Sequence, residues 1–360
     1  MAEMMRALSL KRGELGLRSI PRPVPGPGQI LVRTLACAIC ASDHHYMDHP
    51  EVSAADRSGM RVDAPNHDVV MGHEFCGEIV DYGPDTQRRW PVGARITAVP
   101  ALVGVTGLRI IGMAPDAPGA FGEYFLVSEG FAKHVPESIP PEQIALTDAM
   151  AVGWYYTRLG SAPNAVPLVI GLGAIGLSVV AALKHRGAAT IVAADFDPAR
   201  RELARRLGAT ALVDPRVADT FAEWRRAAWG NAAEVHDRIE LAGKADCVVF
   251  ESSGATDVLA GVIDHCPIGT RIFSAGGTDS DTIPTETAHI KGISIQFGGG
   301  PGPDDWFEMC DLVASREIDT SPLIGETVGF DGLQAAFERS QRPGAPPRIV
   351  FKPDGTGGST

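Results

Sequence analysis

One stretch of this chain limits its possible folds more than any other. The segment VPLVIGLGAIGLSVVAALKHRG runs from a short apolar segment, through a turn with three glycines, into a helical pattern. Gly171, Gly173 and Gly176 have the spacing G-x-G-x-x-G, which permits a tight turn, close approach of backbone to a pyrophosphate, and packing of the helix on the strand. The first amides of the helix, at Ala174, Ile175 and Gly176, have no partner within the helix and can bind phosphate. The stretch therefore predicts a dinucleotide site on a strand-turn-helix unit.

An acidic residue follows at the position that such a site requires. Asp195 ends the next apolar run, TIVAAD, close to the spacing at which a carboxylate binds a ribose hydroxyl. A carboxylate accepts a hydrogen bond from a 2'-hydroxyl and repels a 2'-phosphate, so NAD is favoured over NADP. Arg200 and Arg201 lie nearby and are interpreted as the solvated face of the next helix, with a weakening of the NAD preference as the alternative. A glycine-rich turn followed by an ordinary surface aspartate is the less favoured alternative.

The two halves of the chain differ in the pattern of their segments. From residue 26 to about 130, short β-branched runs such as QILVRTLA and FGEYFLV are separated by turn residues, which predicts a mostly antiparallel β domain. From about residue 150, strand and helix patterns alternate, which predicts a parallel sheet with right-handed crossovers. The final stretch, LIGETVGFDGLQAAFERS to PRIVFKP, is typical of a strand, a helix and a strand. With 360 residues there is room for two domains, and the predicted fold class is α/β with two domains.

Composition excludes several classes of function. The formal net charge of −12 disfavours a nucleic-acid or anionic membrane surface, which needs a basic face. No apolar run has the length of a membrane span, and the first residues lack the apolar core of a signal peptide. Six scattered cysteines are too few for a disulfide scaffold, so we expect a protein of the reducing cytoplasm.

Candidate chemical groups lie mainly in the first half of the chain. The segment CASDHH, residues 40–45, has a thiol, a hydroxyl, a carboxylate and two imidazoles in six positions. A catalytic zinc takes three protein ligands of these types and keeps a fourth position open, which makes Cys40, His73 and Asp148 candidates. Spacing does not show that the three converge. An inert thiol at Cys40 and an ordinary loop histidine at His73 remain an equal alternative from the residues alone.

A series of motifs, in the expected order, resembles the zinc-dependent medium-chain alcohol dehydrogenases. The motifs are CAICASDHH, MGHEFCGEIV, PVGARI, GAFGEYFLV, LTDAMAVGWYYT, GLGAIG and VAADFD. The resemblance covers nearly the whole chain. It implies a GroES-like β-rich catalytic domain at residues 1–150 and 317–360, and a Rossmann NAD-binding domain at residues 151–316. It also implies an active site between the domains and a homodimer or homotetramer, because relatives pair their sheets at the segment ISIQF.

The resemblance assigns metal ligands to named positions. It implies that Cys40 and His73 are catalytic zinc ligands and that Asp148 occupies the third ligand position, where some relatives have Cys or Glu. In some members the residue at the position of Glu74 approaches or binds the metal. A salt bridge beside the metal is an equal alternative for Glu74.

Other positions acquire roles from the same resemblance. Asp43 supports the metal ligands, Ser42 hydrogen-bonds the substrate oxygen, and His45 passes the proton toward solvent. Arg348 matches a basic residue that contacts the cofactor pyrophosphate, with an exposed arginine at a strand end as the alternative. In the implied mechanism zinc favours the alkoxide over the alcohol, and hydride moves from carbon to the nicotinamide.

One departure from the family pattern concerns a second metal. Many relatives bind a structural zinc through four closely spaced cysteines, but the corresponding interval here, TAVPALVGVTGLRIIGMAPDAP, has no cysteine. We therefore predict one catalytic zinc per chain and no structural zinc. Cys37 forms a C-x-x-C with Cys40, and we expect Cys37 to face the core of its strand rather than to form a redox pair.

The combined hypothesis is an NAD-dependent, zinc-containing alcohol dehydrogenase acting on a small alcohol or carbonyl compound. Serine rather than threonine at position 42 leaves more room beside the metal, which favours secondary alcohols or polyols over ethanol. Two alternatives remain. One is a metal-free, NADPH-dependent quinone or enone reductase of the same fold, which would not need Cys40, His73 or Asp148. The other is a catalytically silent dinucleotide-binding protein.

Overall fold

A computed structural model describes residues 3–49, 59–62, 64–160, 165–229, 247–276 and 280–354. The chain forms two compact units, one of Met1–Asp148 with Trp306–Thr360 and the other of Ala149–Asp305. Among the described residues, no helix combines the length and apolar character that a membrane span requires.

The described elements follow in chain order. The first part contains β1 (Met4–Lys11), β2 (Glu14–Pro21), β3 (Gln29–Ala38), α1 (Ala41–Asp48), β4 (Val69–Val70), β5 (Glu74–Tyr82), β6 (Arg95–Ala98), β7 (Ala101–Gly104), β8 (Gly107–Ile110), β9 (Tyr124–Ser128), β10 (Ala132–His134), α2 (Pro141–Ala145) and α3 (Thr147–Gly160). The middle part contains β11 (Val166–Ile170), α4 (Ala174–His185), β12 (Val192–Ala194), α5 (Pro198–Leu207), β13 (Ala211–Val213), α6 (Thr220–Trp229), β14 (Cys247–Glu251), α7 (Val258–His265), β15 (Arg271–Ser274), α8 (Thr285–Ile290) and β16 (Ser294–Phe297). The last part contains α9 (Pro303–Ala314), β17 (Ile324–Val328), α10 (Phe330–Ser340) and β18 (Arg348–Phe351), and short 3-10 helices cover Glu129–Phe131 and Ser321–Leu323.

The first unit is built on a mostly antiparallel sheet of seven strands. Its order is β10-β6-β5-β3-β18-β17, and β9 also pairs with β3. Strand β3 is buried along nearly its whole length because β5, β9 and β18 pair with it. A three-stranded sheet, β2-β1-β4, lies in the same unit. The predicted C-terminal strand, helix and strand are β17, α10 and β18.

The interval that lacks the four cysteines forms a hairpin. Strands β7 and β8 pair in antiparallel register, with Gly104 opposite Gly107 at the turn. Arg109 at the base of the hairpin donates to the Gly59 carbonyl at 2.8 Å and to Asp116 at 3.2 Å. Backbone pairing and these polar contacts therefore order the segment.

The second unit is a six-stranded parallel sheet in the order β13-β12-β11-β14-β15-β16. Its central strand, VPLVI, is apolar because both faces of a parallel sheet are covered by helices. From β11 the chain continues to β12 on one side, and β14 pairs on the other. The strand order thus reverses at β11, and in such sheets ligands bind beyond the carboxyl ends of the strands at this point.

Local sequence signals fix the helix after Asp195. The Asp197 carboxylate accepts from the Ala199 amide at 2.8 Å, and Pro198 occupies the first turn, where a missing N–H costs nothing. The helix ends at Gly208, whose φ of 118° suits glycine. The predicted helix PARRELARRLG therefore has both of its ends encoded locally.

Candidate metal centre and dinucleotide site

The first group of candidate residues lies where β3 passes into α1. Cys40 has an extended backbone, and its amide donates to Asp43 Oδ2 at 2.9 Å, which closes the first turn of the helix. Asp43 is fully buried. The sequence C-x-x-D thus fixes the direction of the Cys40 side chain through a helix cap.

His73 is brought to the same place by a glycine. Gly72 has φ +99°, and a Cβ there would lie 2.7 Å from Cys37 Sγ and 2.8 Å from the Phe121 ring. The chain therefore passes close against the core just before β5. Cys37 is itself fully buried in β3, which confirms the prediction that it faces the core.

The His73 ring bridges two residues of the CASDHH segment. Its Nδ1 lies 3.2 Å from Asp43 Oδ1, an ion-pair distance without hydrogen-bond alignment, and its Nε2 lies 3.0 Å from Ser42 Oγ. Ser42 Oγ also donates to Cys40 Sγ at 3.1 Å. Burial lowers the pKa of His73, but the Asp43 carboxylate and the Cys40 sulfur outweigh it and hold that pKa well above the ordinary value. Asp43 therefore orients both Cys40 and His73.

Glu74, the next residue, forms a buried ion pair. Arg348 donates from Nε and Nη2 to the two Glu74 oxygens at 2.8 and 2.7 Å. The side chains are 1% and 6% exposed. Arg348 Nη2 also lies 3.6 Å from Cys40 Sγ. The salt bridge predicted as one alternative for Glu74 is thus present, and its partner is the arginine that the resemblance assigned to the pyrophosphate.

Three potential ligand atoms meet at this point. One atom each from Cys40, His73 and Glu74 lie within 4.8 Å of one another, and among the residues that the structure describes they form the group with metal-ligand geometry. Asp148 is not a member of that group. The nearby charges of His73 and Glu74 nevertheless influence its pKa, the first lowering it and the second raising it. Burial, the largest influence, raises the pKa of Asp148 to about 6.

The residues present fit a zinc ion. Thiolate, imidazole and carboxylate are the ligand types that zinc takes, and two of the predicted three ligands, Cys40 and His73, are within reach of one ion. The contact of His73 Nδ1 with Asp43 leaves Nε2 for a metal, which is the usual arrangement of a carboxylate behind a histidine ligand.

The remaining imidazoles of CASDHH have different surroundings. His45 is partly exposed, and its ring centroid lies 4.7 Å from that of His49, one helical turn later. His44 is buried, and its Nε2 lies 2.8 Å from Ser340 Oγ. His44 therefore packs into the first unit and has no predicted part in the chemistry.

The glycine-rich turn of the second unit has the predicted construction. A Cβ on Gly171, whose φ is +82°, would lie 2.6 Å from the Ser253 backbone, and a Cβ on Gly176 would lie 1.8 Å from the Gly171 carbonyl oxygen. A Cβ on Gly173 would meet nothing within 4 Å. The first and third glycines are thus required for packing, whereas the second borders open space at the start of α4.

Asp195 follows β12 beside this turn. Its Oδ2 accepts from the Leu172 amide at 2.7 Å, and its Oδ1 accepts from the Asp197 amide at 2.8 Å. The interpretation of Arg201 as part of a solvated face was wrong: its side chain is 16% exposed, it donates to the Asp195 carbonyl, and it pairs with Asp214 at 3.1 Å. Its polar partners, the Asp195 carbonyl after β12 and Asp214 after β13, explain the difference from the helical pattern.

Sequence reasoning missed one polar contact of the site. The Trp306 indole Nε1 donates to Asp148 Oδ1 at 3.1 Å, and Trp306 is 1% exposed. The two residues are far apart in the chain, and Trp306 lies in an amphipathic helix where an aromatic residue is ordinary core. No local pattern indicated the pairing.

Two family models match consecutive parts of the chain. Residues 26–137 match the alcohol dehydrogenase GroES-like domain, and residues 174–315 match the zinc-binding dehydrogenase model. L-threonine 3-dehydrogenase of Rhizobium rhizogenes is 28% identical over 370 residues, which cover 98% of this chain and 99% of that protein. Sorbitol dehydrogenase of Bacillus subtilis is 25% identical, over 94% of this chain and 93% of that protein.

Solved structures give the same result. 2R,3R-butanediol dehydrogenase from Bacillus subtilis has a TM-score of 0.78 at 25% identity, covering 97% of this chain and all of that chain. A Sinorhizobium meliloti 1021 protein, assigned to the zinc-binding dehydrogenases and bound to NADP, has a TM-score of 0.79 at 25% identity, with 98% and 100% covered.

The chain belongs to the zinc-dependent medium-chain dehydrogenase family. It is an oxidoreductase of the alcohol dehydrogenase type that uses a nicotinamide dinucleotide. The predicted family, enzyme class and α/β fold with GroES-like and Rossmann parts are thereby confirmed.

Proposed function

We propose that the enzyme transfers a hydride between a secondary alcohol or polyol and NAD, giving the ketone or aldehyde. The observation that carries the proposal is the convergence of Cys40 Sγ and the His73 ring beside the Ser42 hydroxyl. The relatives are named for threonine, sorbitol and butanediol, which are all small hydroxyl compounds. Serine rather than threonine at position 42 leaves more room beside the metal, which favours a secondary alcohol or polyol.

Cys40, His73 and Asp148 would hold one zinc ion. Zinc supplies a Lewis acid that stabilises negative charge on the substrate oxygen. Glu74 lies near enough to be a ligand, but both of its oxygens accept from Arg348, and a buried carboxylate in a two-bond ion pair is a poor competitor for the metal. Asp148 has a raised pKa, and among the described residues its carboxylate accepts from the Trp306 indole rather than from an arginine, so binding a cation would relieve the cost of its burial.

Ser42 and His45 would move the proton of the alcohol. Ser42 Oγ contacts both metal-ligand side chains and would hydrogen-bond the substrate oxygen, accept its proton and pass it on. His45 lies on the next turn of α1 and is partly exposed, so its ring can exchange a proton with solvent.

The glycine-rich turn and Asp195 would bind the dinucleotide. NAD accepts the hydride at its nicotinamide ring. Amides of Ala174, Ile175 and Gly176 lie in the first turn of α4, where backbone N–H groups have no helical partner, and a Cβ on the adjacent Gly173 would meet nothing within 4 Å, so this end of the helix suits the pyrophosphate. The Asp195 carboxylate carries its negative charge beside the turn, which favours a ribose hydroxyl over a phosphate and hence NAD over NADP. Arg348 could bind the pyrophosphate only after its ion pair with Glu74 has broken.

The test combines metal analysis with turnover. Purified enzyme is analysed for zinc and assayed for NAD and NADP reduction with L-threonine, sorbitol, 2R,3R-butanediol and a hydrophobic secondary alcohol. We expect one zinc per chain and turnover of at least one of these alcohols. Cys40→Ala should lose both, whereas the control Cys37→Ala, which removes a buried thiol on β3 three residues before Cys40, should keep both. Turnover in metal-free enzyme, or zinc retained by Cys40→Ala, would contradict the proposal.

The assembly and location of the enzyme belong to the same proposal. Strand β16 is an edge of the six-stranded sheet, and Phe297 on it is 66% exposed, so we propose that two copies pair there in a homodimer or homotetramer. All six cysteines are free thiols, which suits the reducing cytoplasm. Sedimentation of the purified protein tests the assembly, and a Phe297→Asp variant should shift it to monomer.

A further inference from the structure

Trp306 reaches the predicted third zinc ligand from a distant part of the chain. It lies in the first turn of α9, and its indole N–H donates to one oxygen of Asp148, Oδ1, at 3.1 Å. The ring is 1% exposed and packs edge to face on Phe307 at 5.8 Å between centroids. A ring enclosed in this way holds one orientation, so its N–H points to a fixed place.

The backbone that carries the indole is also held. Asp305, the preceding residue, accepts two hydrogen bonds from the Arg158 guanidinium at 2.6 and 2.8 Å. A paired guanidinium and carboxylate fix both distance and angle. The start of α9 is therefore restrained by side-chain contacts as well as by its own helical hydrogen bonds.

We propose that Trp306 is a positioning residue for the metal centre, which fixes Asp148 so that its second oxygen can bind zinc. The inference rests on the proposed zinc ligation by Asp148 and adds to it the group that orients this ligand. An indole suits the task because it is a neutral donor with no lone pair to offer a metal, and it carries no proton that it could lose at neutral pH. Its hydrogen bond occupies one carboxylate oxygen and leaves the other.

The first test removes the donor and keeps the ring. In Trp306→Phe the zinc dissociation constant, measured by competition with a chelator of known affinity, should rise roughly 10- to 100-fold, the usual effect of losing a partner behind a metal ligand. Trp224→Phe is the matched control, since Trp224 is also fully buried and its indole donates to the Val166 carbonyl at 2.7 Å. It should lose stability but keep the zinc affinity of the wild type.

A double variant, Trp306→Phe with Asp148→Ala, tests whether Trp306 acts through Asp148. If it does, Trp306→Phe should have little further effect on zinc affinity once Asp148 is alanine, so the two substitutions will be strongly non-additive. Additive effects, or a wild-type zinc affinity in Trp306→Phe, would overturn the inference. If Asp148→Ala itself keeps the wild-type zinc affinity, the ligand assignment in the proposed function fails instead, and the two failures are thus distinct.

A measurement on the wild-type protein covers the case in which Trp306→Phe does not fold. The chain has five tryptophans, so labelling with ¹⁵N-tryptophan gives few indole N–H signals. Addition of zinc to metal-free enzyme should shift the Trp306 signal, because zinc on Asp148 draws charge from the oxygen that accepts this hydrogen bond. The Trp224 signal should stay in place. An unmoved Trp306 signal at saturating zinc would contradict the inference.

Discussion

The buried pair of Glu74 and Arg348 allows the magnitude of one perturbation to be worked out. The two side chains are 1% and 6% exposed and share two hydrogen bonds of 2.7 and 2.8 Å. Arg348→Met keeps the apolar stem and removes the charge, which leaves the Glu74 carboxylate buried beside the Cys40 sulfur. Breaking a buried pair by removal of one partner costs about 3–5 kcal/mol, several times the value of an exposed pair. We expect the free energy of unfolding of zinc-free enzyme to fall by that amount.

The assay is urea denaturation of chelator-treated protein, because bound zinc would itself add stability to the folded state. Glu74→Leu combined with Arg348→Met is the matched comparison: loss of both charges removes the uncompensated carboxylate, so the double variant should be more stable than Arg348→Met. A loss below about 1 kcal/mol in Arg348→Met would mean that water reaches the carboxylate. A double variant no more stable than the single one would also refute the reasoning.

The remaining predictions concern the cofactor site and acid stability. Asp195→Ser should lower kcat/KM for NAD and raise the NADP-to-NAD ratio of kcat/KM; an unchanged ratio would assign cofactor choice to other groups. Gly173→Ala should leave the thermal midpoint unchanged, because its Cβ meets nothing, yet weaken NAD binding in a fluorescence titration. Gly176→Ala should lower both, because its Cβ would lie 1.8 Å from a carbonyl oxygen, and equal effects of the two alanines would contradict this account. Burial lowers the pKa of His44 from 6.5, so the unfolded chain takes up this proton first as pH falls. His44 should therefore contribute a loss of stability from about pH 6.5 downward, so between pH 7 and pH 5 the stability of His44→Gln in denaturation curves should change less unfavourably than that of the wild type.

Much of the fold follows from local patterns. The strand-turn-helix segment around Gly171 predicts its own geometry, because the first and third glycines of the turn leave no room for a Cβ. The helix after Asp195 is bounded by an aspartate, a proline and a glycine that act within a few residues. The expectation for Arg201 was wrong because helical periodicity predicts on which face of the helix a residue lies. It does not predict which other segment of the chain contacts that face, here Asp214.

The metal centre likewise has one part that the local sequence encodes and another that depends on tertiary contacts. The sequence alone determined the supply of ligands and the local cap that aims Cys40, since Asp43 acts on a residue three positions away. Only the tertiary structure decided which side chains meet. It brings His73 to Cys40, pairs Arg348 with Glu74, and sets Trp306 on Asp148, in each case through contacts between residues far apart in the chain. Local sequence encodes torsion angles and hydrogen bonds over one or two turns, whereas a site built from distant segments exists only after the core has packed and fixed the distances between them.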